Sequence, residues 1–396
     1  MQIFLYMEVS PINFEDTKTA YALKSKSELK LARFLFSVLQ KPALSNLGRS
    51  LLKFGIKAHL PINAPVKATL YKHFIGGESI QRTIPLMQKM AGYNVFSILD
   101  YSLEGIESEV EFDKAVNEFL ANVETAAVNK EIPFSVFKPS AIATHKILEK
   151  VSLGTELSEA ETAEFERVRE RFHKIFKRAA ELKVRVMVDA EESWIQKAID
   201  DLTQEMMAQY NKGQVIAMNT FQLYRKDRLE FLKESFDWAQ REGVKLGAKL
   251  VRGAYMEKER ARAKSMGYES PINETKAATD KMYDEATLFC LNHLEEGEVF
   301  IGTHNEHTVQ MAASYMQENG IASDDNRVWF AQLYGMCDYL SFNLGARTYN
   351  VAKYIPYGPV SAVIPYLVRR ADENSSVAGQ AVKELGLINK ELKRRG

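Results

Sequence analysis

Two adjacent arginines near the end of the chain could bind a small carboxylate. Arg369 and Arg370 follow Tyr366 and precede Glu373 in the segment YLVRRADEN. A guanidinium presents a planar fork of donors that matches a carboxylate in two-point contact, and an adjacent aromatic ring could cover an amino or imino acid. Arg369 and Glu373 also have the spacing of an exposed helical ion pair. The pair alone leaves both interpretations open.

The elements that would position these residues are eight short β-prone runs, each followed by a longer helical stretch. Eight such units predict a (β/α)8 barrel, and the strand count favours it over a doubly wound open sheet. We expect an N-terminal helical arm over residues 1–90 and the barrel over residues 91–396. The runs are VFSILDY (95–101), FSVFKPS (134–140), VRVMVDA (184–190), QVIAMNTF (214–221), KLGAKLVRGAY (245–255), VFIGTHN (299–305), VWFAQLYG (328–335) and VAKYIPYG (351–358).

Polar and aromatic residues gather where these runs stop. In a barrel the strand ends converge on one face, where barrel enzymes have their active sites. Strand ends are also where turns and helix caps place Asp, Asn and Thr, and Lys138 could equally be an exposed loop residue. The residues at the ends are Asp100, Glu104, Lys138, Asp189, Gln222, Lys249, Arg252, Tyr255, Thr303, His304, Asn305, Gln332, Tyr334, Tyr354 and Tyr357.

The segment KLVRGAYMEKERARA has the composition of a cofactor platform. Lys249 and Arg252 supply positive charge, Gly253 and Ala254 would let a flat ligand approach the backbone, and Tyr255 would add an aromatic wall. A strand that leads into a basic, solvated helix explains the segment equally well. No GxGxxG follows a predicted strand and no GxxxxGK[ST] occurs, which disfavours a Rossmann-type site and a P-loop.

The donors in GTHNEHT suit a phosphate or a flavin, because such ligands need many hydrogen bonds. His304 and His307 in this segment lack a third ligand nearby and the HExxH form of a helical zinc site. We therefore expect no metal.

Composition excludes several classes of function. Lys+Arg and Asp+Glu each total 52, so the formal net charge is zero and nothing favours nucleic acid. The two cysteines, Cys290 and Cys337, cannot form a disulfide framework, which fits a reducing compartment. No apolar run reaches the roughly 20 residues of a membrane span, and the first residues lack signal or transit character. We expect a cytoplasmic protein without a cleaved leader.

The last predicted helix, AVKELGLINKELKRRG, has an apolar stripe and a basic end. Such a helix could make peripheral contact with a membrane or with a neighbouring subunit. An ordinary packed terminal helix is the simpler interpretation.

Together the motifs LDYSLEG, VMVDAEES, KLVRGAY, THN, YGPV and YLVRRADENSS resemble the proline dehydrogenases, in that family's order and from about residue 20 to the end. KLVRGAY with ENSS resembles the branch of the monofunctional mitochondrial enzymes more than the large bifunctional bacterial proteins. The resemblance implies a distorted (βα)8 TIM-type barrel that binds FAD without a Rossmann fold. It further implies oxidation of L-proline to 1-pyrroline-5-carboxylate by hydride transfer to FAD, with the electrons passed to a membrane quinone.

The resemblance also implies roles for individual residues. Arg369 and Arg370 match the pair that binds the proline carboxylate, and Lys138 matches the lysine that assists them. Asp189 and Lys249 match catalytic positions beside the flavin, although many bacterial relatives have arginine where Lys249 stands. Tyr255, Leu333, Tyr354 and Tyr366 match the walls around the pyrrolidine ring. Ala190, Gln222, Arg252, Gly253, Ala254, Lys276, Thr303, His304 and Asn305 match FAD-binding positions. Glu104 matches a glutamate that pairs with the first arginine as a gate over the pocket.

Two alternatives to proline oxidation remain from the sequence. One is a flavin-dependent barrel enzyme for 4-hydroxyproline or another cyclic imino acid. Related hydroxyproline enzymes have a smaller residue at the position matching Tyr354, although Tyr357 in YIPYG could be the packing residue instead. The other is a non-catalytic barrel that binds an imino acid or a partner protein.

Overall fold

A closed barrel of eight parallel strands forms the centre of the computed structural model, which describes residues 11–41, 63–101, 107–360, 363–364, 366–367 and 378–396. Each strand pairs with the next one along the chain, and the last pairs with the first. The barrel prediction is confirmed, and the doubly wound sheet is wrong. The strands are β1 (Val95–Tyr101), β2 (Phe134–Phe137), β3 (Arg185–Val188), β4 (Ala217–Gln222), β5 (Leu246–Val251), β6 (Gly297–Gly302), β7 (Val328–Leu333) and β8 (Val351–Tyr357).

The barrel interior is packed with large apolar side chains. Phe134 lies 5.3 Å from Phe300 and 5.2 Å from Trp329, ring centroid to ring centroid, in edge-to-face contacts. The guanidinium of Arg185, the first residue of β3, lies 4.3 Å from the Phe134 ring. These contacts fill the end of the barrel where the strands begin. The polar residues lie towards the opposite end.

Helices cover the outside of the barrel, which explains why the strands read as nearly continuous apolar runs. Among the described residues they are α1 (Thr17–Ala20), α2 (Lys26–Leu39), α3 (Asn63–Val66), α4 (Lys72–Phe74), α5 (Ile80–Ala91), α6 (Glu109–Val128), α7 (His145–Ser152), α8 (Glu159–Leu182), α9 (Ser193–Tyr210), α10 (Arg228–Glu242), α11 (Met256–Met266), α12 (Lys276–Asn292), α13 (Glu306–Glu318), α14 (Asp338–Gly345) and α15 (Ala378–Arg394), with a π-helical turn at Lys67–Tyr71 and a 3-10 turn at Pro139–Ala141. No helix in this part of the chain is long and apolar enough to cross a bilayer.

The first helices pack against the last one. A capping box between Ser25 and Glu28 starts α2, whose buried face includes Leu29 and Phe36. Gln40, just after α2, donates from Nε2 to the carbonyl of Ala381 in α15 at 2.9 Å. Both ends of the described chain therefore meet on the same side of the barrel.

A buried ion-pair network ties the N-terminal helices to the last strand. Lys353 in β8 is 0% exposed, and its Nζ lies 2.9 Å from Asp338 Oδ1. Lys24 Nζ, which lies just before α2, is 3.1 Å from Asp338 Oδ2. Burial alone would raise the pKa of Asp338, but the two ammonium groups outweigh it and hold that pKa well below its usual range.

Asp338→Asn should reduce the free energy of unfolding by about 3–5 kcal/mol at pH 7, because it removes the carboxylate that lies 2.9 Å from the buried Nζ of Lys353. Lys24→Met is the matched control and should cost less, since Asp338 keeps Lys353. Because the folded pKa of Asp338 is lowered, its contribution is complete above its unfolded pKa of about 3.9 and declines as the pH falls below that value. Urea unfolding at pH 7 and at acid pH measures both effects. Equal stability of Asp338→Asn and wild type at pH 7 would contradict this account.

Candidate functional site

Four strand ends meet in one network of charges. Asp189, which follows β3, has Oδ1 2.5 Å from Lys249 Nζ in β5 and Oδ2 3.1 Å from Lys138 Nζ after β2. Lys138 Nζ also lies 3.0 Å from Asp100 Oδ1 in β1. Lys138 and Lys249 are both buried. The structure thus brings together the acidic and basic residues that the sequence placed at separate strand ends.

Tyr354 in β8 completes this network. Its hydroxyl donates to Asp189 Oδ1 at 2.7 Å and lies 2.9 Å from Lys249 Nζ, which donates to it. Tyr357 points the other way, with its hydroxyl 2.8 Å from Glu118 Oε1 in α6. Side chains three apart on a strand face opposite sides, and only Tyr354 faces the barrel interior. Of the two tyrosines that the sequence left open, Tyr354 is the one at the strand-end network.

The surrounding charges and burial determine the protonation states of Asp189 and Tyr354. Burial alone would raise the pKa of Asp189, but Lys249 and Lys138 outweigh it and hold that pKa well below its usual range. Burial and the nearby Asp189 raise the pKa of Tyr354 well above its usual range. At neutral pH Asp189 is therefore a carboxylate and Tyr354 a neutral hydroxyl. The network also pairs each ammonium group with a carboxylate, since Asp100 joins Lys138.

Arg252 forms a second anchored cation, just beyond the end of β5. Its Nε lies 2.7 Å from Asp280 Oδ1, and its Nη1 donates to Thr303 Oγ1 at 2.6 Å. The guanidinium also lies 4.4 Å from the ring centroid of Tyr283. Lys276 pairs with the same Asp280, but its side chain is 61% exposed. Arg252 thus has a fixed position, whereas Lys276 lies at the surface edge of this region.

The THN segment follows β6 and joins this region. Thr303 is buried, and His304 Nε2 accepts the backbone N–H of Leu333 at 3.0 Å. The hydrogen bond leaves the proton of a neutral ring on Nδ1. Asn305 caps α13, because its Oδ1 accepts the N–H groups of His307 and Thr308 at 2.9 and 3.4 Å.

A buried cradle next to Arg252 fits a flat heteroaromatic ligand. Gln222, at the end of β4, is 2% exposed, and its Oε1 has no hydrogen-bond partner among the residues that the structure describes. Gly253 has φ +134°, and a Cβ there would lie 2.4 Å from the ring of Tyr224. The ring of Tyr224 thus fills the space that a Cβ at Gly253 would take. A buried acceptor without a donor and a fixed cation are features that an isoalloxazine ring or its phosphates would use. The residues present therefore fit a flavin.

Of the remaining residues predicted for the site, some are described by the structure and three are not. Ala190 follows Asp189 and is partly buried, Ala254 is exposed, and Tyr255 is partly buried. Leu333 packs against the apolar side chains of the barrel interior. Tyr366 is buried and close enough to contribute to the raised pKa of Tyr354. Glu104, Arg369 and Arg370 lie outside the described residues.

Among the residues that the structure describes, no group of three candidate metal ligands lies at the THN segment. His307 is exposed, with Nε2 3.8 Å from Asp284. Within the described ranges, one group of three such residues has its ligand atoms within 4.8 Å of one another: His145, Glu191 and Glu192. Ser140 donates its N–H and hydroxyl to Glu191, and Lys258 Nζ lies 2.8 Å from Glu192 Oε1. Glu191 and Oε1 of Glu192 are thus engaged by protein donors, whereas Glu192 Oε2 has no hydrogen-bond partner among the described residues. The absence of a metal requirement stays a prediction.

Three supporting residues escaped the sequence-based reasoning. Asp280 anchors Arg252, and Tyr224 backs Gly253. Glu259 is buried beneath the segment that carries Tyr255. The spacing of Lys276 and Asp280, four apart on a helix, was a usable signal for the first of these. Tyr224 and Glu259 act across elements and have no local signature.

The sequence of this chain was compared with protein families and with known proteins, and it is similar to several of them. The family model described as proline dehydrogenase matches residues 83–383. The chain is 47% identical over 248 residues to "Proline dehydrogenase 1, mitochondrial" of Caenorhabditis elegans, covering 60% of this chain and 40% of that protein. It is 30% identical over 422 residues to "Hydroxyproline dehydrogenase" of Xenopus laevis, covering 95% of this chain and 88% of that protein. The chain spans 40–50% of the length of the nematode, fly and human proteins that it matches.

A solved structure shares the fold. Proline utilization A from Bdellovibrio bacteriovorus superposes with a TM-score of 0.70 at 21% sequence identity. The match covers 91% of this chain and 36% of that one. The likeness supports the closed barrel independently of the sequence motifs.

Gly253→Ala should destabilise the protein more than Gly267→Ala, the control at the end of α11. Both glycines have positive φ, +134° and +73°, but only at Gly253 would a Cβ meet another side chain, whereas Gly267 has nothing within 4 Å. Backbone strain costs about 1–3 kcal/mol at such positions, and displacement of the Tyr224 ring adds to it only at Gly253. Urea unfolding of both variants gives the difference. Equal losses would mean that Tyr224 moves aside without cost.

Proposed function

The chain belongs to the proline dehydrogenase family, and on this premise we propose that it oxidises L-proline to 1-pyrroline-5-carboxylate with FAD as its cofactor. The observation that carries the proposal is the buried network of Lys138, Asp189, Lys249 and Tyr354 beside the cradle at Gln222 and Gly253. The network lies where a small polar substrate would meet a flat cofactor.

Recognition of the substrate carboxylate needs more positive charge than the described network offers. The ammonium groups of Lys138 and Lys249 already face the carboxylates of Asp100 and Asp189. An incoming carboxylate would make the site negative unless further cations joined it. We propose that Arg369 and Arg370 supply them, with Lys138 assisting. Glu104 would pair with Arg369 when the pocket closes.

Orientation of the pyrrolidine ring would fall to apolar and aromatic walls. Tyr354 and Tyr366 are buried, while Leu333 and Tyr255 are partly buried at the ends of β7 and β5. Side chains of this kind enclose a saturated ring and exclude water from it. Bound FAD would accept the two electrons released when the C5–H bond breaks and the C5=N bond forms.

Asp189 acts in this proposal by fixing its neighbours. A carboxylate whose pKa is held far below neutrality is a weak base, so it is poorly suited to remove the proton from the substrate nitrogen. It can instead hold two ammonium groups and the Tyr354 hydroxyl in place. Lys249 and Arg252 would keep positive charge beside the cradle, where the reduced cofactor gains negative charge. The remaining proposed cofactor contacts are Ala190, Ala254, Lys276, Thr303, His304 and Asn305.

The next electron acceptor is proposed to be a membrane quinone. Support comes from the similarity to the C. elegans enzyme, whose name places it in mitochondria, and from the sequence motifs shared with that branch. The apolar face of the terminal helix α15 packs inside the protein, with Leu387 and Ile388 buried, so peripheral contact with an anionic membrane would fall to its basic end.

Oxidation of 4-hydroxyproline is the second candidate, because the X. laevis relative bears that name and matches 95% of this chain. Tyr354 argues against it. Its ring and hydroxyl are fixed by Lys249 and Asp189 in the barrel interior. A ring hydroxyl on the substrate would meet this side chain or be buried without a partner.

The purified protein should show flavin absorbance that is bleached by L-proline without oxygen and without NAD. The proposed site holds FAD next to the substrate, so no second nucleotide is needed. Anaerobic spectra before and after L-proline measure this directly, with L-alanine as the control that lacks a secondary amine. A colourless protein that binds no added FAD, or a flavin reduced only by NADH, would overturn the proposal.

Tyr354→Ser should narrow the preference for L-proline over 4-hydroxyproline by about 1–3 kcal/mol in kcat/KM, because it opens space at the ring. Tyr357→Phe is the control: it removes a hydrogen bond to Glu118 on the outer face and should leave the preference unchanged. The ratio of the two kcat/KM values cancels any general damage to the site. Equal use of both substrates by the unmodified protein would rule out the specificity argument.

A further inference from the structure

A short, highly polar helix extends directly from one wall of the site. α11 (Met256–Met266) follows Tyr255 without a loop, and its sequence is MEKERARAKSM. Only Glu259 and Ala263 on this helix are buried. A helix with so little apolar surface cannot be held by burial alone. Its polar contacts must therefore fix it in place.

The central contact of α11 is a buried carboxylate. Glu259 is 0% exposed, and its two oxygens accept the backbone N–H and the hydroxyl of Ser193, each at 2.6 Å. Ser193 is the first residue of α9, and the preceding Glu192 makes no capping hydrogen bond with its own side chain. The first N–H groups of a helix need acceptors, and negative charge is favourable there. Glu259 therefore caps α9 from a different helix.

Two neighbours of Glu259 reinforce the same junction. Lys258 Nζ lies 2.8 Å from Glu192 Oε1 and 5.5 Å from the ring centroid of Tyr255. The guanidinium of Arg262 lies 4.4 Å from the ring centroid of Trp194. Positions 255, 258, 259 and 262 recur at the spacing of one helical face. One face of α11 is thus devoted to the segment that begins α9.

This junction connects two walls of the site. The start of α9 follows Asp189 and Ala190 by only a few residues, and α11 begins at Tyr255. The backbone N–H of Glu259 donates to the carbonyl of Tyr255 at 2.9 Å. Arg252, by contrast, has its own anchors in Asp280 and Thr303, on other elements. Loss of the junction should therefore disturb Tyr255 more than Arg252.

We propose that Glu259 is a positioning residue that, by capping α9, holds α11 and with it Tyr255 against the Asp189 side of the site. Its effect is on the wall that encloses the substrate, and the cofactor contacts at Arg252 are independent of it. The kinetic consequence rests on the proposed proline oxidation. The structural consequence, the docking of α11, does not.

The first test is Glu259→Gln, with Glu257→Gln as the matched control at an exposed position of the same helix. The glutamine amide NH₂ faces the Ser193 donors or leaves one of them unpaired. In the flavin-loaded protein, hydrogen exchange should accelerate in residues 256–266 and at the start of α9, with other elements unchanged. The KM for L-proline should rise about tenfold, as loss of one charge-assisted contact predicts, with kcat changed less than about twofold and flavin content retained. Glu257→Gln should match the wild type in every measurement.

A second variant protects the test against general unfolding. Ser193→Ala removes the hydroxyl but keeps the backbone N–H, so it should give a smaller change of the same kind. Because both variants act on one contact, the double variant should show no more than the Glu259→Gln effect on KM. Unchanged exchange in α11, additive effects, or loss of flavin with unchanged KM would overturn the inference. A wild-type protein that is not reduced by proline would defeat the proposed function, while the exchange measurement would still decide the role of Glu259.

Discussion

The carboxylate of Asp189 is the group on which the site depends. It accepts hydrogen bonds from Lys138, Lys249 and Tyr354, which belong to three other strands or strand ends of the barrel. Burial opposes its charge, and the two ammonium groups, together with the hydrogen bond from Tyr354, keep it ionised. Each of these charged groups can therefore be buried only because its oppositely charged partners are buried beside it. Such mutual dependence fixes side chains more firmly than separate surface ion pairs could.

The site has two halves with different physical character. Around Asp189, the charges are balanced and the hydrogen bonds are satisfied within the protein. Around Gln222 and Gly253, a buried acceptor lacks a partner among the described residues, and the ring of Tyr224 packs against the glycine. The first half is satisfied among the described residues, whereas the second has an acceptor that a bound cofactor would satisfy. Arg252, next to Gly253 in the chain, is held by Asp280 in α12 and by Thr303, which follows β6.

Much of the fold was predictable because parallel strands covered by helices are buried on both faces and read as short apolar runs. All eight runs became strands for this reason. The sequence also predicted that polar residues such as Lys138, Asp189 and Lys249 stand at strand ends, but their partners depended on which strands are neighbours. Whether Tyr354 or Tyr357 faces inward could not be read from the sequence of β8, because every residue of that strand is buried. Glu259 was missed because its partner, Ser193, is distant in sequence and the contact exists only after both helices have docked.

The closure of the barrel has a consequence for the order in which the protein can be made. Val95 in β1 pairs with Val351 in β8, and the seven-residue register between these strands joins the beginning of the barrel to its end. Pairing across such a separation is slow, because a long stretch of chain must be ordered before the contact stabilises it. Tyr354 lies on that last strand. During synthesis on the ribosome, β1 therefore keeps one unpaired edge until β8 emerges, and such an edge is a place where a nascent chain can aggregate.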